Sequence, residues 1–130
     1  NRFHIWIYEK YDGRFIGEYN GLPFCIMIVK GRKTGNMIKI ALLTIPHGDD
    51  YILVASQGGA KTNPLWYYNL RENPEIEMQV FSDHFKMRAF GLSDEEKKEY
   101  WPMIVAAYSG YENYQRATER SIPVFVCRKI

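Results

Sequence analysis

The sequence predicts an α+β fold, in which about six mostly antiparallel strands form a closed or split β-barrel with helices packed around it. Three observations predict it. Two dense apolar runs, PFCIMIVK (23–30) and MIKIALLTI (37–45), bracket the loop GRKTGN (31–36), and this reads as a hairpin with a basic tip. EIEMQVF (75–81) and HFKMRAF (84–90) alternate polar and apolar residues at period two across a Ser82-Asp83 turn, as half-exposed paired strands do. Helical segments with their own start and stop signals are inserted between the strands, which favours a barrel over a βαβ sheet.

The elements follow in order. RFHIWIYEKYD (2–12) fits an amphipathic opening helix that ends near Gly13. Pro46, Gly48, Asp49 and Asp50 mark a turn before YILVAS (51–56), a third strand apolar on both faces, so the first half reads as an antiparallel meander. Asn63 and Pro64 read as N-cap and first position of a helix running to Glu72, where Asn73-Pro74 stops it. Ser93 and Glu96 form a capping box with an acidic first turn behind it, and that helix is expected to kink or restart at Pro102. YENYQRATER (111–120) reads as a further short helix and IPVFVCRKI (122–130) as a closing strand.

With 130 residues, 46% of them hydrophobic, the chain has apolar material for one core, and a single domain over 1–130 is expected. A net charge of +2 without a long Lys/Arg run sets nucleic acid aside as a partner. Cys25 and Cys127 read as buried free thiols of a reducing compartment, and no apolar run approaches the ~20 residues of a spanning helix. A cytoplasmic protein is therefore expected. His4, His47 and His84 are scattered, so no metal site is expected, and no Ser or Cys lies in a nucleophile-elbow pattern. The carboxylates at 94–96 are explained by helix capping. A chain with so few activated groups is expected to bind a reagent that brings its own chemistry.

Three stretches carry that expectation. SQGGAKTNP (56–64) joins a strand to a helix start through Gly58 and Gly59, a place where backbone N–H groups can meet an anion; the same glycines would equally serve a tight turn. GRKTG places Arg32, Lys33 and the Thr34 hydroxyl between two glycines, which suits phosphate or polycarboxylate, or a solvated turn. YSGYENY sets Tyr108, Tyr111 and Tyr114 three residues apart, on one side of a helix or helix junction, either as core packing or as a lid of phenols. Two anion-friendly loops facing one groove would take a long anionic ligand.

These residues resemble a known family. GRKTG, VASQGG, NPLWYYNLRENPEIEMQV, YSGYENY and IPVFVC occur in the order and spacing of the deazaflavin-dependent nitroreductases, over roughly residue 8 to the end. The resemblance implies a split β-barrel and an oxidoreductase that passes a hydride from reduced coenzyme F-420 to a flat electron-poor acceptor, a quinone or a nitroaromatic such as a nitroimidazole. It implies that Arg32, Lys33, Thr34 and Gly35 meet the coenzyme phosphate. Ile38, Lys39, Ile40 and Ala41, with Val54, Ala55, Ser56, Gln57, Gly58 and Gly59, would flank the ring, and Leu65, Trp66 and Asn69 would complete the wall. Ser56, Tyr108, Tyr111 and Tyr114 would orient or protonate the acceptor, with Tyr111 also against the coenzyme. Where relatives tend to carry Arg, Asn-Pro and an aromatic, this chain has Ile38, Ile40-Ala41 and Leu43, which predicts fewer polar contacts near ring and acceptor. The alternatives are an FMN-binding oxidoreductase on the same fold and a non-catalytic deazaflavin- or lipid-binding protein. A quinone acceptor makes peripheral contact with the inner face of a membrane an expectation; nothing in the sequence fixes an oligomeric state.

Overall fold

A computed structural model describes residues 2–130; Asn1, part of the single domain expected over 1–130, lies outside the described residues. The hairpin forms as its apolar runs dictate. β2 (Leu22–Lys30) pairs antiparallel with β3 (Met37–Leu43), in register from Phe24 opposite Leu43 to Lys30 opposite Met37. The period-two segments become β6 (Glu75–Val80) and β7 (Asp83–Gly91), paired antiparallel, and the C-terminal run becomes β8 (Val124–Lys129). Together with β1 (Glu18–Tyr19), β4 (Ile45–His47) and β5 (Asp50–Val54), these make eight strands among the described residues rather than about six. The two extra strands, β1 and β4, are too short to show a periodic pattern.

All pairings are antiparallel, and the sheet runs β3-β2-β6-β7-β8-β5-β4, with β1 beside the start of β2. The expected meander stops at β3. The third apolar strand, β5, lies between β4 and β8 instead of against β3. Being apolar on both faces, it is satisfied only between packed layers. Leu53 and Val54 pair on the β8 side alone, and β3 pairs with β2 alone, so the curled sheet leaves two unbonded strand edges across an opening. Thr44 spans the chain's turn there, with its Oγ1 donating to the Ile52 carbonyl at 3.0 Å.

The period-two alternation divides the packing. Cys25, Met27 and Val29 of β2 face inward with Leu53, Met78, Met87 and Phe125, and Trp66 and Leu70 cap this core. The other face of β5 and β8, with Ile52, Val54, Val124 and Val126, packs on Ile104, Tyr111 and Ile122. Fully burying Leu70 or Ile104 contributes about 2 kcal/mol each. Cys25 and Cys127 are free and buried, and burial pushes the Cys127 thiol up to about 12 and the Cys25 thiol up as well, so neither is a thiolate near neutrality.

Helices cover the sheet. α1 (Arg2–Tyr11) is pinned by Tyr8, whose hydroxyl donates to the Phe24 carbonyl at 2.9 Å and accepts from the Phe81 N–H at 2.6 Å. α2 is Leu65–Glu72. Its N-cap is Pro64, one residue later than expected, because the Asn63 side chain is taken by Arg120 at 2.6 Å. α3 (Asp94–Ala107) starts with the expected Ser93–Glu96 capping box. It runs unbroken through Pro102, which is exposed. α4 (Gly110–Arg116) follows after Tyr108 and Ser109.

Candidate functional site

The opening between β3 and β5 is a cavity of about 470 Å³. Its floor is made by Ala41, Leu42, Leu43, Leu53 and Val54 at the two strand ends, and Pro64 and Trp66 of α2 close one side. Ser56, Gln57 and Gly58 enter from the strand-to-helix corner, and Tyr108, Tyr111 and Tyr114 from the α3–α4 junction. Of the residues singled out in the sequence, the cavity brings together Ala41, Val54, Ser56, Gln57, Gly58, Trp66 and the three tyrosines.

The phenols form a triangle of edge-on rings. Their centroids are 5.1 Å apart for Tyr108–Tyr111, 6.2 Å for Tyr108–Tyr114 and 6.1 Å for Tyr111–Tyr114. Tyr108 and Tyr114 share a hydroxyl–hydroxyl bond of 3.2 Å. The glycine within YSGY is required because the Tyr108 ring lies directly over Gly110, where a side chain would collide. Desolvation, with Tyr114 nearby, pushes the Tyr111 pKa up to about 12; the bond to Tyr114 and then burial raise that of Tyr108. Near neutrality Tyr108 and Tyr111 therefore keep their protons and can donate hydrogen bonds.

The corner is held against that triangle. The chain turns through Ser56 and a 3-10 turn over Gln57–Gly59, so the strand expected to run to Ser56 stops at Val54. Gly59 has φ +81°, and a Cβ there would lie 2.8 Å from the Tyr114 carbonyl oxygen. Only glycine lets the loop dock this closely on α4.

The remaining expected residues lie outside the cavity lining. Period-two geometry splits the stretch at 38–41. Ile38 and Ile40 share the interior face of β3 with Leu42, whereas Lys39 turns to the outer face and pairs with Glu9 of α1 at 2.8 Å. The Lys39 side chain is thus turned toward α1 by the register. Ala55 faces the barrel core, Leu65 is 78% exposed, and Gly59 packs under α4. Arg32, Lys33, Thr34 and Gly35 form the exposed hairpin tip. That tip is tied to α2: the Arg32 N–H donates to Asn69 Oδ1 at 3.0 Å, the Arg32 guanidinium lies 5.1 Å over the Tyr68 ring, and Asn73 Nδ2 donates to the Lys30 carbonyl at 3.2 Å. From Pro64 at the cavity to Asn69 at the tip is roughly 8 Å along the helix.

Sequence reasoning missed Tyr19, Phe24, Leu42, Leu53 and Pro64 as lining residues. Tyr19 stands on a two-residue strand and meets Tyr108 edge-on at 6.0 Å, a tertiary contact without a local signature. Leu42 was legible, since period two from Ile38 and Ile40 reaches it. The donor set suits a flat conjugated ring: apolar walls, two strand edges free of partner strands, one hydroxyl at the corner and phenol hydroxyls above.

The half-closed antiparallel barrel with its groove is an α+β fold built on one curled sheet. The profile of the family described as F420H(2)-dependent quinone reductase matches residues 1–129, and the chain belongs to that family. It is 33% identical over 129 residues to the F420H(2)-dependent quinone reductase Rv1261c of Mycobacterium tuberculosis, covering 96% of this chain and 87% of that protein. A second M. tuberculosis protein, Rv3178, provisionally named for the same activity, is 37% identical over 107 residues, covering 82% of this chain and 90% of its own. A solved structure of an F420-H2 dependent reductase superposes with a TM-score of 0.74 at 33% identity, covering 82% of this chain and 94% of that one. Family membership makes the chain an oxidoreductase with coenzyme F-420 as its cofactor and a quinone as its acceptor class.

Proposed function

We propose that the cavity between β3 and β5 receives the coenzyme ring with the quinone against it, and that Ser56, Tyr108, Tyr111 and Tyr114 serve the acceptor oxygen. The observation that carries this reading is the union of Ser56 and the phenol triangle in one apolar-walled cavity of about 470 Å³. When bound, the reduced deazaflavin supplies the hydride. Leu42, Leu53, Val54 and Trp66 exclude water and fix the plane of the stacked ligands. Hydroxyl donors at Ser56 and Tyr111 stabilise the oxygen that gains charge, and the Tyr108–Tyr114 pair holds a proton within reach of it. Arg32 and Lys33 at the hairpin tip attract the anionic end of the coenzyme along α2. Apolar Ala41, Leu42 and Leu43 suit a quinone better than a nitroimidazole.

Access to lipid quinones is served by α1. Phe3 and Trp6 are 65% and 53% exposed on it, Phe15 and Ile16 are exposed just beyond it, and Arg2, Lys10 and Arg14 lie among them. Lys10 Nζ lies 4.8 Å over the Trp6 ring, an arrangement suited to an anionic headgroup layer. No described helix is long and apolar enough to cross a membrane.

Mixing the purified protein with reduced coenzyme F-420 and menadione, and following coenzyme reoxidation optically, tests the reading. Reoxidation lost in a Tyr111→Phe, Ser56→Ala double variant is the expected result. Absence of turnover with every quinone tried, or FMN binding at least as tightly as the deazaflavin, overturns it.

A further inference from the structure

Arg120 lies in the link between α4 and β8, up to 65 residues in sequence from the corner that it grips. Its Nε donates to the Ala60 carbonyl at 2.8 Å and its Nη2 to the Ser56 carbonyl at 2.7 Å. Its Nη1 donates to the Ala55 carbonyl at 3.3 Å and to Asn63 Oδ1 at 2.6 Å. Among the described residues no carboxylate forms an ion pair with it. All five donors of a guanidinium lie in one rigid plane, and this plane is spent on the carbonyls of a single loop.

The consequence lies on the far side of those peptides. The peptide bonds are trans, and in a trans peptide the C=O and the following N–H point in opposite directions. With the Ala55 and Ser56 carbonyls turned to Arg120, the N–H groups of Ser56 and Gln57 are turned away from it. The backbone passes from right-handed at Ser56 (φ −75°, ψ −38°) to left-handed at Gln57 (φ 45°) and Gly58 (φ 62°). That succession makes neighbouring N–H groups converge into a concavity that accepts negative charge. Among the described residues the N–H groups of Ser56, Gln57 and Gly58 have no protein acceptor, and all three residues line the cavity. Gln57 holds this conformation although it carries a side chain, which left-handed backbone disfavours.

We infer that Arg120 is a positioning residue for the quinone reductase reaction: it locks the corner at 55–60 so that the amides of Ser56, Gln57 and Gly58 face the oxygen that gains charge. The inference rests on the cavity being the site of that reaction. Lysine cannot replace the fork, because a single ammonium cannot reach three carbonyls and an amide at once.

The test compares Arg120→Lys with Lys97→Met. Lys97 Nζ anchors the same link from its other side, donating to Gln115 Oε1 at 2.7 Å and Ser121 Oγ at 3.0 Å, and is not among the partners of the corner. Both variants are followed by thermal melting, by hydrogen exchange at the Ala55, Gly59 and Ala60 amides, and by steady-state turnover of menadione with reduced coenzyme F-420. The expected result for Arg120→Lys is loss of protection at those amides and a fall in kcat of about 100-fold, with coenzyme affinity much less affected. Lys97→Met is expected to lower the melting temperature while keeping protection and kcat near the parent. Parental protection in Arg120→Lys, or a kcat loss no larger than in Lys97→Met at equal loss of stability, overturns the inference. If the parent protein turns over no quinone, the functional reading itself fails and the positioning role falls with it, while protection still reports whether Arg120 locks the loop.

Discussion

The side-chain oxygen of Asn69 accepts the backbone N–H of Arg32 at 3.0 Å, tying the basic hairpin to the middle of α2. Both partners belong to the proposed coenzyme path, yet neither lines the cavity. Asn69→Ala removes the tie and leaves the tip free to move. Coenzyme affinity is expected to fall about tenfold, from a lost bond of roughly 1 to 1.5 kcal/mol, with kcat at saturation unchanged. A binding titration beside steady-state kinetics checks the split.

Tyr111 and Ser56 stand where the acceptor oxygen is proposed to lie. Tyr111→Phe and Ser56→Ala are each expected to lower turnover by about 100-fold, in the range found when a preorganised donor is lost, while the coenzyme dissociation constant changes little. Unchanged turnover in both variants would remove them from the mechanism.

Gly59 is the point where the corner touches α4. Gly59→Ala forces a Cβ to within 2.8 Å of the Tyr114 carbonyl at a φ of +81°, and is expected to cost about 2 kcal/mol of stability and to displace Tyr114. Gly58→Ala, with open space around its Cβ, is expected to cost less. Denaturant melts of the two variants give the comparison directly.

Alkaline pH provides a separate readout. Tyr8 and Tyr111 are each raised from 10.0 to about 12 by burial, so the unfolded chain loses these protons before the folded one does. Stability is therefore full below about pH 10 and falls as pH rises toward 12. For Tyr111 the loss is on the order of 2 to 3 kcal/mol, and the slope should flatten in Tyr111→Phe. Melting temperatures taken across that range test the sign.

A vesicle experiment addresses α1. A double substitution Phe3→Ser, Trp6→Ser is expected to abolish cosedimentation with anionic vesicles while leaving turnover of water-soluble menadione intact. Equal sedimentation of parent and variant would count against membrane contact through this face.

Much of this architecture was legible in the sequence because it is encoded locally. Period two announced β6 and β7, two glycines bracketed the hairpin tip, Ser93 and Glu96 announced the start of α3, and the spacing of Tyr108, Tyr111 and Tyr114 announced a cluster. What was hidden depends on distant partners. Asn63 loses its capping role because Arg120 takes its side chain, β5 pairs with the C-terminal β8 rather than with β3, and Tyr19 joins the cavity through Tyr108. The face chosen by Lys39 was available from alternation, but only the register opposite Ile28 identifies α1 as its neighbour.

The opening between β3 and β5 has a further consequence. Strand edges that face each other without bonding leave the two halves of the sheet joined on that side by little beyond the turn at Thr44. A flat ligand wedged there would act as a keystone. Its binding energy adds to the stability of the folded chain, so that saturation at 100 times the dissociation constant should add about 2.7 kcal/mol. On this reading the cofactor is also an architectural member of the barrel, and the bare chain should be measurably softer along β3 than along β6.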